Sequence, residues 1–263
     1  MKLWIAVIAL ALFAFEAEAQ DKQAQARLDL APTGKLRVAL LPLPHMALRD
    51  QTTGQITGVI ADLGRALANR LEVPVEFVIA PSNVAAADQV KNGTADVTFL
   101  VALPELGAQI DFGATYIQYE TTFLVPGNSA VHTLADVDHL GARVIAPNPS
   151  AIATTIGQAF RNVKIIGVPV ATASAQRVVG MLKNGEADAY SNLTHLLSLT
   201  QVDLPDWRIV PGSYMAPVFS IGYPKNRSFG AAYADSFVME MKKNGFIHQA
   251  IGRANLKGAQ VPN

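Results

Sequence analysis

Between Val59 and Leu71 the apolar residues Ile60, Leu63, Leu67 and Leu71 recur every three or four positions, so they share one face of a helix. Val73 to Ile79 then alternates with the period of a strand and stops short of Pro81. The succession returns later, with a helix expected over Ala151 to Phe160 and a strand over Val163 to Val168. Two further segments are near copies of one another. Gly34-Lys35-Leu36-Arg37-Val38-Ala39-Leu40 and Gly141-Ala142-Arg143-Val144-Ile145-Ala146 both read as strands opened by Gly and Arg. Val90-Lys91-Asn92-Gly93-Thr94-Ala95-Asp96-Val97 parallels Leu182-Lys183-Asn184-Gly185-Glu186-Ala187-Asp188-Ala189. In each, a helix ends on Lys-Asn-Gly and a short apolar strand follows. Lys suits the negative helix end, and Gly takes the left-handed conformation that stops the helix.

Each half therefore reads strand, helix, strand, helix, strand. That alternation predicts an α/β protein of two lobes, each a mainly parallel sheet flanked by helices. A third piece closes the chain: a strand over Val218 to Tyr223, a helix over Phe229 to Asn244, and a short helix over Ile247 to Arg253.

The first residues have a different character. Lys2 precedes an apolar run from Leu3 to Phe15, and Ala17-Glu18-Ala19 follows. This order of charge, apolar core and A-x-A site predicts a signal peptide over residues 1–19. A bilayer span needs about 20 apolar residues, more than this run provides. The sequence has no cysteine, so neither a lipid anchor at the cleavage site nor a disulfide is expected. The predicted location is the periplasm. Residues 20–32, mostly polar, are expected to be a flexible leader.

At 263 residues and 50% hydrophobic, the chain can build its own core. Lys and Arg number 21, as do Asp and Glu, and the basic residues are scattered. Polyanion binding needs a basic stripe, so nucleic acid is not an expected partner.

In open parallel sheets ligands bind beyond the carboxyl ends of strands, where strand order reverses. Four loops qualify: Leu41 to Met46, Phe99 to Leu106, Pro147 to Ala151 and Ser191 to His195. They supply the candidate ligand contacts His45, Thr98, Asn148, Ser150 and Asn192. Ser150 stands where a helix N-cap belongs, and free N–H groups there favour a carboxylate or other anion. Asp96 and Asp188 share one context and are read as structural. His45 and His195 have no metal-ligand spacing. G-x-S-x-G, G-x-G-x-x-G, phosphate-loop and H-E-x-x-H motifs are absent, so no catalytic residue, metal or cofactor is expected.

Several segments together carry a family resemblance. They are Lys35 to Ala39, Gly54-Gln55-Ile56-Thr57-Gly58-Val59-Ile60-Ala61-Asp62-Leu63, Asn92 to Val97, Ile110-Asp111-Phe112-Gly113-Ala114-Thr115-Tyr116, Asn184 to Ala189 and Lys243-Asn244-Gly245-Phe246. In this order and spacing the chain resembles the bacterial family 3 extracellular solute-binding proteins, the amino-acid-type receptors of ABC importers. The resemblance implies a type II periplasmic-binding-protein-like fold with two hinge strands. Lobe 1 would comprise residues 33–122 and 218–263, and lobe 2 residues 123–217. It also implies hinge closure on a small polar ligand, delivery to the membrane permease of an ABC transporter, and a monomer. An exported dehydratase-like enzyme on this fold, or a sensing module without a transporter, is the alternative; Glu105 and His45 would be the acid candidates. The sequence departs from the pattern at the site. Amino-acid receptors usually carry Arg after Pro-Glu, and here Leu106 follows Pro104-Glu105. The acid that usually takes the ligand ammonium is replaced by Asn192, and Arg49 is the basic residue that would stand in for the clamp.

Overall fold

The structure is a computed structural model and describes residues 20–50, 52–139, 141–169 and 172–262. The expected signal peptide lies outside these residues. Among the described residues no helix is long and apolar enough to cross a membrane. The described residues divide into two compact units, unit 1 holding 20–117, 218–255 and 261–262, and unit 2 holding 118–217 and 256–260.

Unit 1 begins with a helix over residues 20–30 (α1). Strand β1 (Leu36–Leu40), the hairpin strands β2 (Leu48–Arg49) and β3 (Ile56–Thr57), helix α2 (Val59–Arg70) and β4 (Val75–Ile79) follow. Then come α3 (Asn83–Lys91), β5 (Val97–Val101), α4 (Pro104–Gly107) and the long strand β6 (Asp111–Tyr119). Unit 2 holds β7 (Thr121–Pro126), α5 (Leu134–His139), β8 (Arg143–Pro147), α6 (Ala151–Ala159), β9 (Lys164–Val168) and α7 (Ala175–Lys183). It continues through β10 (Ala189–Leu193), α8 (Thr194–Gln201) and β11 (Trp207–Ile209). The chain then re-enters unit 1 as β12 (Val218–Tyr223), α9 (Ser228–Lys243) and α10 (Phe246–Arg253). Last, β13 (Ala259–Gln260) pairs with the final two residues of β6.

The two sheets repeat one scheme. In unit 1, β1 lies between β4 and β5, parallel to both, and β12 runs antiparallel on the far side of β5. In unit 2, β8 lies between β9 and β10, parallel to both, and β7 runs antiparallel on the far side of β10. The helices between parallel strands repeat too. Ser82 caps α3 by accepting from the Ala85 N–H at 3.1 Å, and Ser174 caps α7 by accepting from Arg177 at 3.3 Å. Both helices close on Asn followed by a glycine at φ 70.

The echo seen in the sequence extends to an ion pair. Asp96 accepts from the backbone N–H of Arg37 at 2.8 Å and from its guanidinium at 2.6 and 3.0 Å. Asp188 does the same to Arg143 at 2.9, 2.7 and 3.0 Å. In both copies the aspartate N–H returns a bond to the arginine carbonyl at 2.8 Å. Each aspartate therefore fastens the start of its strand to the start of the neighbouring one. Their role is structural, though the partner is the central strand rather than the turn.

Residues 20–30 are not the flexible leader that their composition suggests. They form a helix, with Ala26 and Leu30 fully buried at a spacing of one helical turn. Gln23 donates to the Arg70 carbonyl at 2.9 Å, and Arg27 binds the Leu71 carbonyl and Glu72 at the end of α2. Asp29 accepts from the Gly230 N–H at 2.9 Å and lies 3.6 Å from Arg227, so it caps α9 from another helix. A carboxylate cap satisfies orphan N–H groups and complements the helix dipole. Asp29→Ala should cost about 1 kcal/mol of stability, measured by urea unfolding. No loss would show that α1 contributes only through Ala26 and Leu30.

Candidate ligand site at the strand ends

In unit 1, the loop after β1 is a closed turn. Leu43 and Ala47 exchange backbone hydrogen bonds at 3.0 Å in both directions. His45, half-buried at its tip, has φ 64. The Met46 carbonyl accepts from the Ile60 N–H at 2.9 Å, which ties the turn to the start of α2. Gly58 is required at this contact: its φ is 111, and a Cβ there would lie 2.5 Å from the Met46 oxygen and 2.8 Å from the His45 oxygen. The loop after β5 leads directly into α4, where Glu105 is exposed and Leu106 is buried with Ala39, Ala80, Leu100 and Ile110.

Thr98 takes a different place from the one expected. It is fully buried, and its hydroxyl donates to the Ala39 carbonyl at 2.9 Å, between β5 and β1. That bond makes it a sheet residue with its hydroxyl proton committed to β1. Arg49 bends back on its own hairpin, with Nε 3.3 Å from the Gly54 carbonyl.

In unit 2, β8 ends at Pro147, and the Asn148 N–H donates to the Val168 carbonyl at 2.9 Å. The Asn148 side chain crosses Gly167, where a Cβ would lie 2.7 Å from its Nδ2. Ser150 is the N-cap of α6: its hydroxyl accepts from the Ala153 N–H at 3.2 Å and donates to the Pro147 carbonyl. Helix geometry leaves the N–H groups of Ala151 and Ile152 without acceptors inside the helix. Capping and ligand binding are compatible here, because the cap occupies a different N–H.

Neighbouring β10 runs parallel to β8, with Tyr190 opposite Ile145. Continuing that register by two residues brings Asn192 level with Pro147. Strands lie about 4.8 Å apart, so Asn192 and the start of α6 are close neighbours. Asn192 is buried and doubly held. Its Oδ1 accepts from the Leu193 N–H at 2.8 Å, and its Nδ2 donates to the Tyr190 hydroxyl. Burial pushes the Tyr190 phenol up to about 12, so it stays protonated at neutral pH. Nδ2 keeps one free proton, and Oδ1 one free lone pair.

Behind Asn192 a second hydroxyl network fixes the strand. Ser191 donates to the Thr122 carbonyl at 2.8 Å, so its other contact, 2.6 Å from the Tyr214 hydroxyl, has Tyr214 as donor. The Tyr214 ring stacks on Phe123 at 5.1 Å and meets Phe160 edge-on at 5.5 Å. Tyr190 could have been read from the sequence, since it lies two residues from Asn192 and so on the same strand face. Nothing local marks Tyr214.

The structure thus brings Asn148, Ser150 and Asn192 together at adjacent strand ends of unit 2, and places His45 at the corresponding turn of unit 1. Apart from Glu105, these loops carry no formal charge. What they offer is backbone N–H groups, one hydroxyl and one oriented amide.

A model of the bacterial extracellular solute-binding proteins, family 3, matches residues 36–253. The chain belongs to that family. Among solved structures, a mutant of ArgBP from T. maritima superposes with a TM-score of 0.68 at 20% identity, covering 88% of this chain and 99% of that one. The solute receptor for L-cysteine of Neisseria gonorrhoeae gives 0.69 at 18% identity, covering 89% and 94%. An ancestral amino acid-binding protein, a precursor of cyclohexadienyl dehydratase, gives 0.69 at 19% identity, covering 88% and 98%. The fold is that of the type II periplasmic binding proteins.

Proposed function

We propose that this chain is an exported receptor that captures a small polar ligand between its two lobes and delivers it to an ABC importer in the membrane. Family membership supports the receptor class, and the signal-like N-terminus supports export to the periplasm. The observation that carries the reading is the set at the ends of β8 and β10: a capped helix start beside an amide whose orientation is fixed. Such a set holds a small molecule by hydrogen bonds without reacting with it. A dehydratase on this scaffold needs an acid positioned against substrate. Glu105 is exposed and has no side-chain hydrogen bond among the described residues, which favours the receptor.

The test starts from the natural ligand, released by denaturing the purified protein and identified by mass spectrometry. Ser150→Ala should then weaken its binding by about 1–3 kcal/mol, roughly 5- to 150-fold, in calorimetry. Thermal stability should fall by no more than a lost N-cap explains. Wild-type affinity in this variant would move the site away from α6.

A further inference from the structure

Three helices end on the same tripeptide: Lys91-Asn92-Gly93 closes α3, Lys183-Asn184-Gly185 closes α7, and Lys243-Asn244-Gly245 closes α9. Asn followed by Gly is the sequence most open to deamidation, since glycine offers no side chain to obstruct attack by its own nitrogen. The Gly nitrogen bonds to Asn Cγ, the Cγ–Nδ2 bond breaks, and ammonia leaves with the amide proton. Water then opens the five-membered imide at either carbonyl to give aspartate or isoaspartate.

Because the local sequence is identical, only the structure can separate the three sites. Their backbones are alike, with Asn ψ of −1, −2 and 0, and the Gly N–H bonded back to the helix at 3.2, 3.1 and 3.2 Å. In this conformation the Gly nitrogen is rotated away from Cγ, so each cap must open before the ring can close. The side chains differ. Asn244 Oδ1 accepts from the Phe246 N–H at 2.9 Å, which keeps its Cγ turned toward α10. Asn184 Nδ2 makes a long bond of 3.4 Å to Glu186. The exposed Asn92 side chain has no hydrogen-bond partner among the described residues.

We infer that Asn92 is a spontaneous deamidation site of the folded protein, reacting ahead of Asn184, with Asn244 protected. The product places a new negative charge at the C-terminal end of α3, where the helix dipole opposes it. Isoaspartate also adds a backbone carbon four residues before Asp96, at the turn that delivers its strand. With a pI near 7.0 and zero formal net charge, one lost amide gives a separable acidic form.

The experiment ages the folded protein and, in parallel, the urea-denatured protein in mildly alkaline buffer. Peptide mass mapping and isoaspartyl methylation then quantify each site. In denaturant the three sites should convert at similar rates. In the folded protein Asn92 should outpace Asn244 by about fivefold, the factor that one typical hydrogen bond represents. Asn92→Gln, whose longer side chain cannot close the same ring, should remove most of the early acidic form. Equal rates at the three folded sites, a faster Asn244, or no conversion at Asn92 would each overturn the inference.

Discussion

Asp96→Ala will destabilise the protein by about 3–5 kcal/mol, while Asp188→Ala will cost only a small fraction of that. The two carboxylates make the same three bonds to their arginines, so contacts alone predict equal effects. Burial separates them. The side chains of Arg37 and Asp96 are 15% and 3% exposed, against 41% and 49% for Arg143 and Asp188. Removing Asp96 strands a guanidinium against the sheet interior, whereas water replaces Asp188 readily. Urea unfolding of the two variants measures the difference. Equal losses would mean that the shared backbone tie, not burial, sets the value of the pair. The exposed copy also has an acid limit. The bond to the Arg143 side chain holds the Asp188 carboxyl below the usual range. Its contribution is present above the ordinary carboxylate pKa and disappears as pH falls through the lowered value.

The standard α-amino acids are expected to bind weakly or not at all. A carboxylate is held best by a bidentate arginine. The position after Pro104-Glu105 is Leu106, 1% exposed within an apolar cluster, and it cannot turn into a cation site. Arg49 is turned elsewhere, with Nε 3.3 Å from the Gly54 carbonyl of its own hairpin. Where relatives are expected to carry an acid, Asn192 is neutral, and its Oδ1 has one lone pair left after accepting from Leu193. A zwitterion would lose water at both charged ends and recover little from these groups. The expected ligand is therefore less charged than a free amino acid, or carries its charge elsewhere. A thermal-shift screen at micromolar concentrations checks this. A ligand present at a hundred times its Kd would add about 2.7 kcal/mol. Such a shift with any standard amino acid would refute the expectation and make Arg49→Ala the next variant to study.

The repeated architecture was legible because its signals are local. Lys-Asn-Gly stops a helix at each of its three occurrences, and a short strand follows the first two directly, so β5 and β10 stand where the pattern puts them. Helix α1 was not legible. Its apolar stripe is little more than Ala26 and Leu30, and the polar residues around them bond to α2 and α9, which no local pattern reveals. The candidate site divides along the same line. Ser150 announces itself as a cap by its position before a helical run. The use of Thr98 within the sheet depends on the register of β5 against β1, and the support from Tyr214 depends on a contact across 23 residues. These are tertiary facts with no imprint on their own neighbourhoods.

The placement of β12 has a bearing on how the chain reaches its native state. In unit 1 this strand sits between β6 and β5, inside the sheet. The strands of unit 2 from β7 to β11, by contrast, come from one uninterrupted stretch of sequence. Unit 2 can assemble its five strands from within that one stretch, its widest strand pairing joining β11 to β7. Unit 1 has a gap in the middle of its sheet until residues that follow β11 arrive, and each longer closure adds entropic cost. Refolding should therefore proceed in a fixed order, with the later-encoded unit ordering first and the earlier-encoded one waiting for its missing strand.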